Sequence, residues 1–245
     1  MKNQITISRT ADPAPDNVNW LGFYAAILTT AVTAVTFGIA FFTPPLSGPF
    51  CTNSCFKYPF TDIASRFPRD YLWMYLAILL TIIFTVLMVC IHLYAAREKK
   101  VFSQIGLSFA MISATVLIID YFLQISVIQP SLANGETEGI AIITQYNPHG
   151  IFIALEDIGY LMMSIAFLFM APVFSVTNRL EGSIRWIFVA GFVLTVMSFI
   201  MLSILYGINL EYRFEVAAIA INCIVLIVSG ILLSVVFKRA MKVPL

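Results

Sequence analysis

Six stretches of this 245-residue chain, at roughly 18–43, 71–95, 102–129, 148–175, 184–207 and 215–237, are apolar for longer than a strand or an ordinary buried helix requires. About 20 apolar residues carry a helix across the hydrocarbon core of a bilayer. Lipid offers the backbone no hydrogen bonds, so only helices and closed barrels can span it. Each run far exceeds the about 9–11 residues of a barrel strand and lacks strict alternation. The expected fold is therefore all-α, a polytopic bundle of six transmembrane helices. Composition excludes the alternative of a single soluble core. Hydrophobic residues make up 60% of the chain and charged residues 11%, whereas soluble domains carry about 25% charged residues. The mean hydropathy of +0.92 points the same way. A formal net charge of +1 provides no basic surface for nucleic acid, which is not an expected partner.

The polar punctuation falls between these runs. Thr43-Pro44-Pro45-Leu46-Ser47-Gly48-Pro49 ends the first, because consecutive prolines remove donors and clash with a continuing helix. Arg97-Glu98-Lys99-Lys100 is a short charged turn, and Asn134-Gly135-Glu136 marks a polar loop. Asn147-Pro148 reads as a helix start, with Asn as N-cap and Pro at the first helical position. Asn178-Arg179-Leu180-Glu181-Gly182 and Gly207-Ile208-Asn209 separate the last three runs. The first run is longer than the roughly 7–15 residues of a signal-peptide core, so it is expected to be retained as a span. The expected organisation is a flexible cytoplasmic N-terminus (1–17), one membrane domain (18–237) and a basic cytoplasmic tail (238–245).

With the N-terminus inside, Lys2, Arg9, Arg97, Lys99, Lys100, Arg179, Arg185, Lys238, Arg239 and Lys242 face the cytoplasm, ten of the 14 Lys and Arg. Lys57, Arg66, Arg69 and Arg213 lie outside. The positive-inside rule selects this orientation, with both termini cytoplasmic. Trp20, Tyr94 and Trp186 then sit near the inner interface, and Tyr71, Trp73, Tyr75, Tyr206 and Tyr212 near the outer one. The compact size and the lack of targeting signals point to a prokaryotic plasma membrane.

Ionisable residues inside a span cost about 2.5–3.5 kcal/mol each at the helix centre on insertion scales, and by default they mark function. Asp120 in the third run and Glu156 and Asp157 in the fourth are such residues. The third run travels outward and the fourth inward, which places all three in the outer half of the bilayer. Counted at 1.5 Å per residue from the outer ends near Gln129 and Pro148, Asp120 and Glu156 agree in depth to within a turn. Asn222 in the sixth run comes to a similar level. Asp120 shares a helix face with Gln124, and Glu156 shares one with Tyr160. His149, seven residues before Glu156, lies on the same stripe nearer the outer mouth. The expectation is an outer-leaflet polar pocket of Asp120, Gln124, Glu156, Tyr160 and Asn222, with His149 at its entrance. Asp157, pointing about 100° from Glu156, needs a different partner. The competing reading is structural, because buried polar groups also bind helices together.

Cys51 and Cys55 share the first outer loop, where disulfides persist, and a bridge between them is expected. Cys90 and Cys223, inside apolar runs, read as small buried hydrophobes. His92 and His149 fall at opposite ends of their spans, so no bis-histidine haem is possible, and His92 reads as a satisfied interfacial residue. Thr29, Thr33 and Thr36 on one face of the first run suit close helix packing. Phosphate-loop, His-Glu-x-x-His and Gly-x-Ser-x-Gly motifs are absent from the sequence, and neither cofactor nor metal is expected. Three classes of function fit. The first is binding or transport of a small solute, proton or cation at the outer acids. The second is a non-catalytic assembly subunit or homo-oligomer whose acids meet a basic partner helix. The third is a metal-assisted enzyme acting on lipid, with Asp120, Glu156 and His149 as its ligands.

Overall fold

The computed structural model describes residues 16–43 and 46–241. They form eight α-helices and no strand: α1 (Asp16–Phe42), α2 (Leu72–Tyr94), α3 (Lys100–Leu123), α4 (Gln129–Ala133), α5 (Ile140–Ile143), α6 (Ile151–Met170), α7 (Arg179–Tyr206) and α8 (Tyr212–Ala240). Six of them, α1, α2, α3, α6, α7 and α8, are long and apolar enough to cross a membrane. The chain is thus an all-helical bundle compatible with an integral membrane protein. Most of the segment expected to be a flexible N-terminus, the Pro44-Pro45 break and the end of the basic tail lie outside the described residues.

Several boundaries differ from the sequence expectation, each for a local reason. Asn147 does not cap a helix that starts at Pro148. Its amide donates to the Ala141 carbonyl at 2.6 Å and accepts from the His149 N–H at 2.9 Å, which builds a separate turn. Helix α6 begins at Ile151, with Gly150 in the N-cap position. The 178–182 segment is a helix start instead of a spacer. Asn178 accepts from the Leu180 N–H at 3.0 Å, and Glu181 sits in the first turn of α7, where it complements the positive end of the helix dipole. Helix α8 starts three residues earlier than expected, so Glu215 lies within its first turn and is buried. The third span runs on through a π-helical segment, Gln124–Ile128, into α4.

Helix α1 packs on α2 and α8, α2 on α3, α3 on α6, and α6 on α8. These five close a ring, and α7 lies outside it against α6 and α8. Thr29, Thr33 and Thr36 are all buried in α1. Helices α3 and α6 approach closely within the ring. A Cβ at Gly159 would fall 2.6 Å from Leu117 Cδ2, and Ser113 donates to the Gly159 carbonyl at 2.7 Å. The crossings alternate in direction, which gathers the start of α1, the end of α2 and the end of α8 at one end. Gly22 and Tyr94 both meet Phe237 there. His92 bonds Ser103 at the same end, at 2.8 Å.

The opposite end, called here the disulfide end, is covered by its connections. Cys51 and Cys55 are joined, with their Cα atoms 5.9 Å apart. Gln145 ties three segments together beneath this loop. Its N–H donates to Gln124 Oε1 at 3.0 Å, its carbonyl accepts from Tyr212 at 3.0 Å, and its amide reaches the Asp70 carbonyl at 3.5 Å. The Tyr212 hydroxyl also lies 2.7 Å from Ser47 Oγ. Asp70 accepts from Arg66 at 2.6 Å, Arg69 at 2.9 Å and Tyr146 at 2.9 Å. Ser47, Tyr146 and Tyr212 are fully withdrawn from solvent.

Candidate functional site

Below this cover, three helices of the ring bring carboxyl groups to one level. Helix α3 supplies Asp120, α6 supplies Glu156 and Asp157, and α8 supplies Glu215. Asp120 and Glu156 are 1% and 0% exposed, Glu215 is 9% exposed, and Asp157 is half-buried. Tyr121 donates to Glu156 Oε1 at 2.7 Å, and its hydroxyl lies 3.1 Å from that of Tyr160. Glu215 stands within hydrogen-bonding reach of Glu156. Asp120 is close enough to Glu156, and Asp157 to both glutamates, for their charges to interact directly.

One oxygen on each acid, Asp120 Oδ2, Glu156 Oε2, Asp157 Oδ1 and Glu215 Oε2, has no hydrogen-bond partner among the described residues. An ionised carboxyl only accepts, so two of them side by side have no donor between them. A protonated carboxyl, by contrast, carries a donor of its own. Among the described residues the ion pairs involve Asp70 and Glu211 and none of these four acids.

The structure divides the residues expected to form the pocket. It brings together Asp120, Glu156 and Tyr160, with Asp157 beside them. Gln124 is buried but taken up by the cover, donating to the Ile143 carbonyl at 2.6 Å and accepting from Gln145. Asn222 belongs to a separate node, where Ser164 Oγ lies 3.1 Å from Asn222 Oδ1 and 3.0 Å from Thr195 Oγ1. His149 is not the entrance to the acids. Its side chain is 59% exposed, and its Nε2 lies 3.7 Å from Glu211 Oε1. Two residues of the cluster were not expected, Tyr121 and Glu215. Glu215 precedes Asn222 by seven residues and so shares its stripe of α8, a signal hidden by placing the start of the span at Glu215 itself. Among the described residues, no three His, Cys, Asp or Glu side chains gather as a metal site.

No protein-family model matches the chain, and no match is found to a curated protein or a solved structure.

Proposed function

We propose that this is a prokaryotic plasma-membrane protein that binds a proton or cation at the Glu156–Glu215 pair, with Asp120 nearby, as part of small-solute transport or sensing. Both termini are taken to be cytoplasmic, which puts the disulfide end and the acids in the outer half of the bilayer. The supporting observation is the pairing of Glu156 with Glu215, two buried carboxyls with an unpartnered oxygen each and, among the described residues, no basic side chain paired with them. The hydroxyls of Thr29, Thr33 and Thr36 are unpartnered too, but they are neutral, whereas an ionised carboxyl inside a span is costly and by default marks function.

The test is infrared difference spectroscopy on the full chain in liposomes, taken while pH and then sodium or potassium are changed. A protonated-carboxyl C=O band should respond to both, and Glu156→Gln or Glu215→Gln should remove that response. An unchanged response in Glu156→Gln, Glu215→Gln and Asp120→Asn together would refute the reading. The assembly-subunit reading instead expects the acids to be neutralised by a basic residue of a partner. In that case the isolated chain responds, and the response vanishes when the partner binds.

A further inference from the structure

At the end of the bundle opposite the disulfide, the end of α2 and the start of α3 flank an open groove of about 440 Å³. His92, Lys100, Val101, Gln104 and Ile105 line it. The fold holds its polar groups in place. The Lys100 ammonium bonds the His92 carbonyl and, at 3.3 Å, the Leu93 carbonyl, which satisfies the last turn of α2. Two of its three N–H groups are thereby used and one is left over. Ser103 Oγ donates to the Lys100 carbonyl at 3.1 Å and lies 2.8 Å from His92 Nδ1. A hydroxyl has one proton to give, so both contacts are hydrogen bonds only when His92 Nδ1 donates to Ser103. The neutral ring then keeps a lone pair on Nε2. That atom is not one of the unpartnered polar atoms sealed inside the bundle. Gln104 is exposed, and its side-chain amide makes no hydrogen bond among the described residues. The groove therefore presents a spare ammonium N–H, an amide and an imidazole lone pair.

We infer that this groove seats the headgroup of an anionic glycerol phospholipid, with its phosphate on Lys100 and a headgroup hydroxyl between His92 Nε2 and Gln104. The inference does not depend on the acid cluster. Depth selects a lipid. His92 stands in the last turn of α2 and Lys100 opens α3, and headgroups meet a span at its ends. Val101, Ile105 and Ile112 follow one stripe of α3. Val101 and Ile112 are exposed and Ile105 is half-buried, so an apolar track leads from the groove along the helix for the acyl chains. Charge selects an anion, because Arg97, Lys99 and Lys100 outnumber Glu98 in the turn beside the groove. The His92 lone pair then selects among anions. An ionised phosphodiester brings acceptors alone, whereas a glycerol headgroup adds hydroxyls that donate to Nε2 and exchange hydrogen bonds with the Gln104 amide.

The test is native mass spectrometry of the full chain in mild detergent at about pH 8, where an imidazole is neutral, titrated with phosphatidylglycerol. Phosphatidylmethanol carries the same charge without the hydroxyls, phosphatidylcholine has neither the net charge nor the hydroxyls, and glycerophosphoglycerol is the same headgroup without chains. One saturable phosphatidylglycerol site is expected, about tenfold or more tighter than phosphatidylcholine or the soluble headgroup, with phosphatidylmethanol between. Lys100→Gln and Gln104→Leu should each weaken it about tenfold, a change in affinity of about 1.4 kcal/mol. Lys99→Gln removes the same charge from the neighbour outside the groove and should weaken it clearly less. Gln104 is exposed, so its variant carries the test even where Lys100→Gln unsettles the end of α2. Wild-type affinity in Gln104→Leu, equal affinity for phosphatidylglycerol and phosphatidylcholine, or no saturable binding would overturn the inference. An equal loss in Lys99→Gln and Lys100→Gln would reduce the groove to a diffuse basic surface and overturn it too. Equal affinity for phosphatidylmethanol would refute the hydroxyl contact, and equally tight binding of glycerophosphoglycerol would refute the lipid in favour of a soluble anion.

Discussion

Replacing Glu215 by Gln should make the protein more stable. In the native chain Glu156 Oε2 and Glu215 Oε2 are buried, and neither has a hydrogen-bond partner. An unsatisfied buried polar atom costs about 1–3 kcal/mol. The amide of Glu215→Gln supplies a permanent N–H beside Glu156, whatever the pH, and it does so without adding or removing a heavy atom. It also removes one of the group's ionisable members. A gain of about 1–3 kcal/mol follows if the new donor reaches Glu156, with the lower part of that range more realistic because the denaturant-unfolded chain in a micelle also finds partners. Unfolding by titration with an ionic detergent in mixed micelles measures it. Trp73 is a built-in reporter, because its ring packs edge-on against Tyr121 at 5.2 Å, and Tyr121 in turn holds Glu156. Asn222→Ala is the control of opposite sign. Asn222 has a partner on each side of its amide, Ser164 and the Ala218 carbonyl, so its removal should cost about 0.6–1.7 kcal/mol. Should Glu215→Gln lose about 1 kcal/mol or more, the ionised carboxyl would be a structural anchor, and the argument from unsatisfied oxygens would be wrong. A gain in stability accompanied by loss of the cation response is the trade expected of a functional group held against its own preference.

Three further outcomes follow from other contacts. Gly159→Ala should cost about 1–3 kcal/mol by overpacking, because the added Cβ meets Leu117 Cδ2 at 2.6 Å and Cγ at 2.7 Å. In a Leu117→Ala background the same substitution should cost nothing, whereas Gly38→Ala, with nothing within 4 Å, should be neutral or stabilising; an equal cost of Gly159→Ala in both backgrounds would remove the close-approach explanation. Tyr212→Phe deletes the donor to the Gln145 carbonyl and the partner of Ser47, so protease cleavage within 46–71 and 144–147 should accelerate by about tenfold, for a loss of about 1.4 kcal/mol; unchanged cleavage would show that the cover is held elsewhere. Burial first, and then Tyr71 and Asp70, push the Tyr146 phenol above its ordinary range. A raised native value means that stability is fully present below the ordinary tyrosine value of about 10 and is lost as pH rises past it, so the detergent midpoint should fall above about pH 10 and Tyr146→Phe should flatten that fall.

The spans were legible because lipid imposes one simple rule on long apolar runs, and all six appear as helices. Their ends were less legible, since they depend on side chains that bond locally in two ways. Asn147 and Asn178 are the same residue type beside a helix. Asn178 accepts from its own helix, whereas Asn147 turns back to Ala141 and leaves the capping position to Gly150. Composition does not separate these two uses. The cover over the disulfide end was invisible for a related reason. Asp70, Gln145 and Tyr146 lie in polar connections that pattern reading treats as solvated, and their burial comes from each folding over the others.

At the acids, depth was readable and neighbourhood was not. Counting residues from the span ends brings Asp120, Glu156 and Asn222 to one approximate level, and a ring of five helices has room for only some of them at its interior. Gln124 and Asp120 share a face of α3, yet the π-helical segment that starts at Gln124 carries the chain on into α4, and Gln124 meets the cover while Asp120 meets Glu156. Asn222 and Glu215 share a face of α8 two turns apart, and the parallel run of α6 beside α8 sets Ser164 against one and Asp157 level with the other. One contact, Ser164 to Asn222, therefore fixes the register of the whole α6–α8 pair and places Glu215 among the acids. A single interhelical contact of this kind, added to helical periodicity, accomplishes what periodicity alone cannot. It converts a list of residues at one depth into a set of neighbours, and it turns an isolated carboxyl at a span boundary into the partner of Glu156.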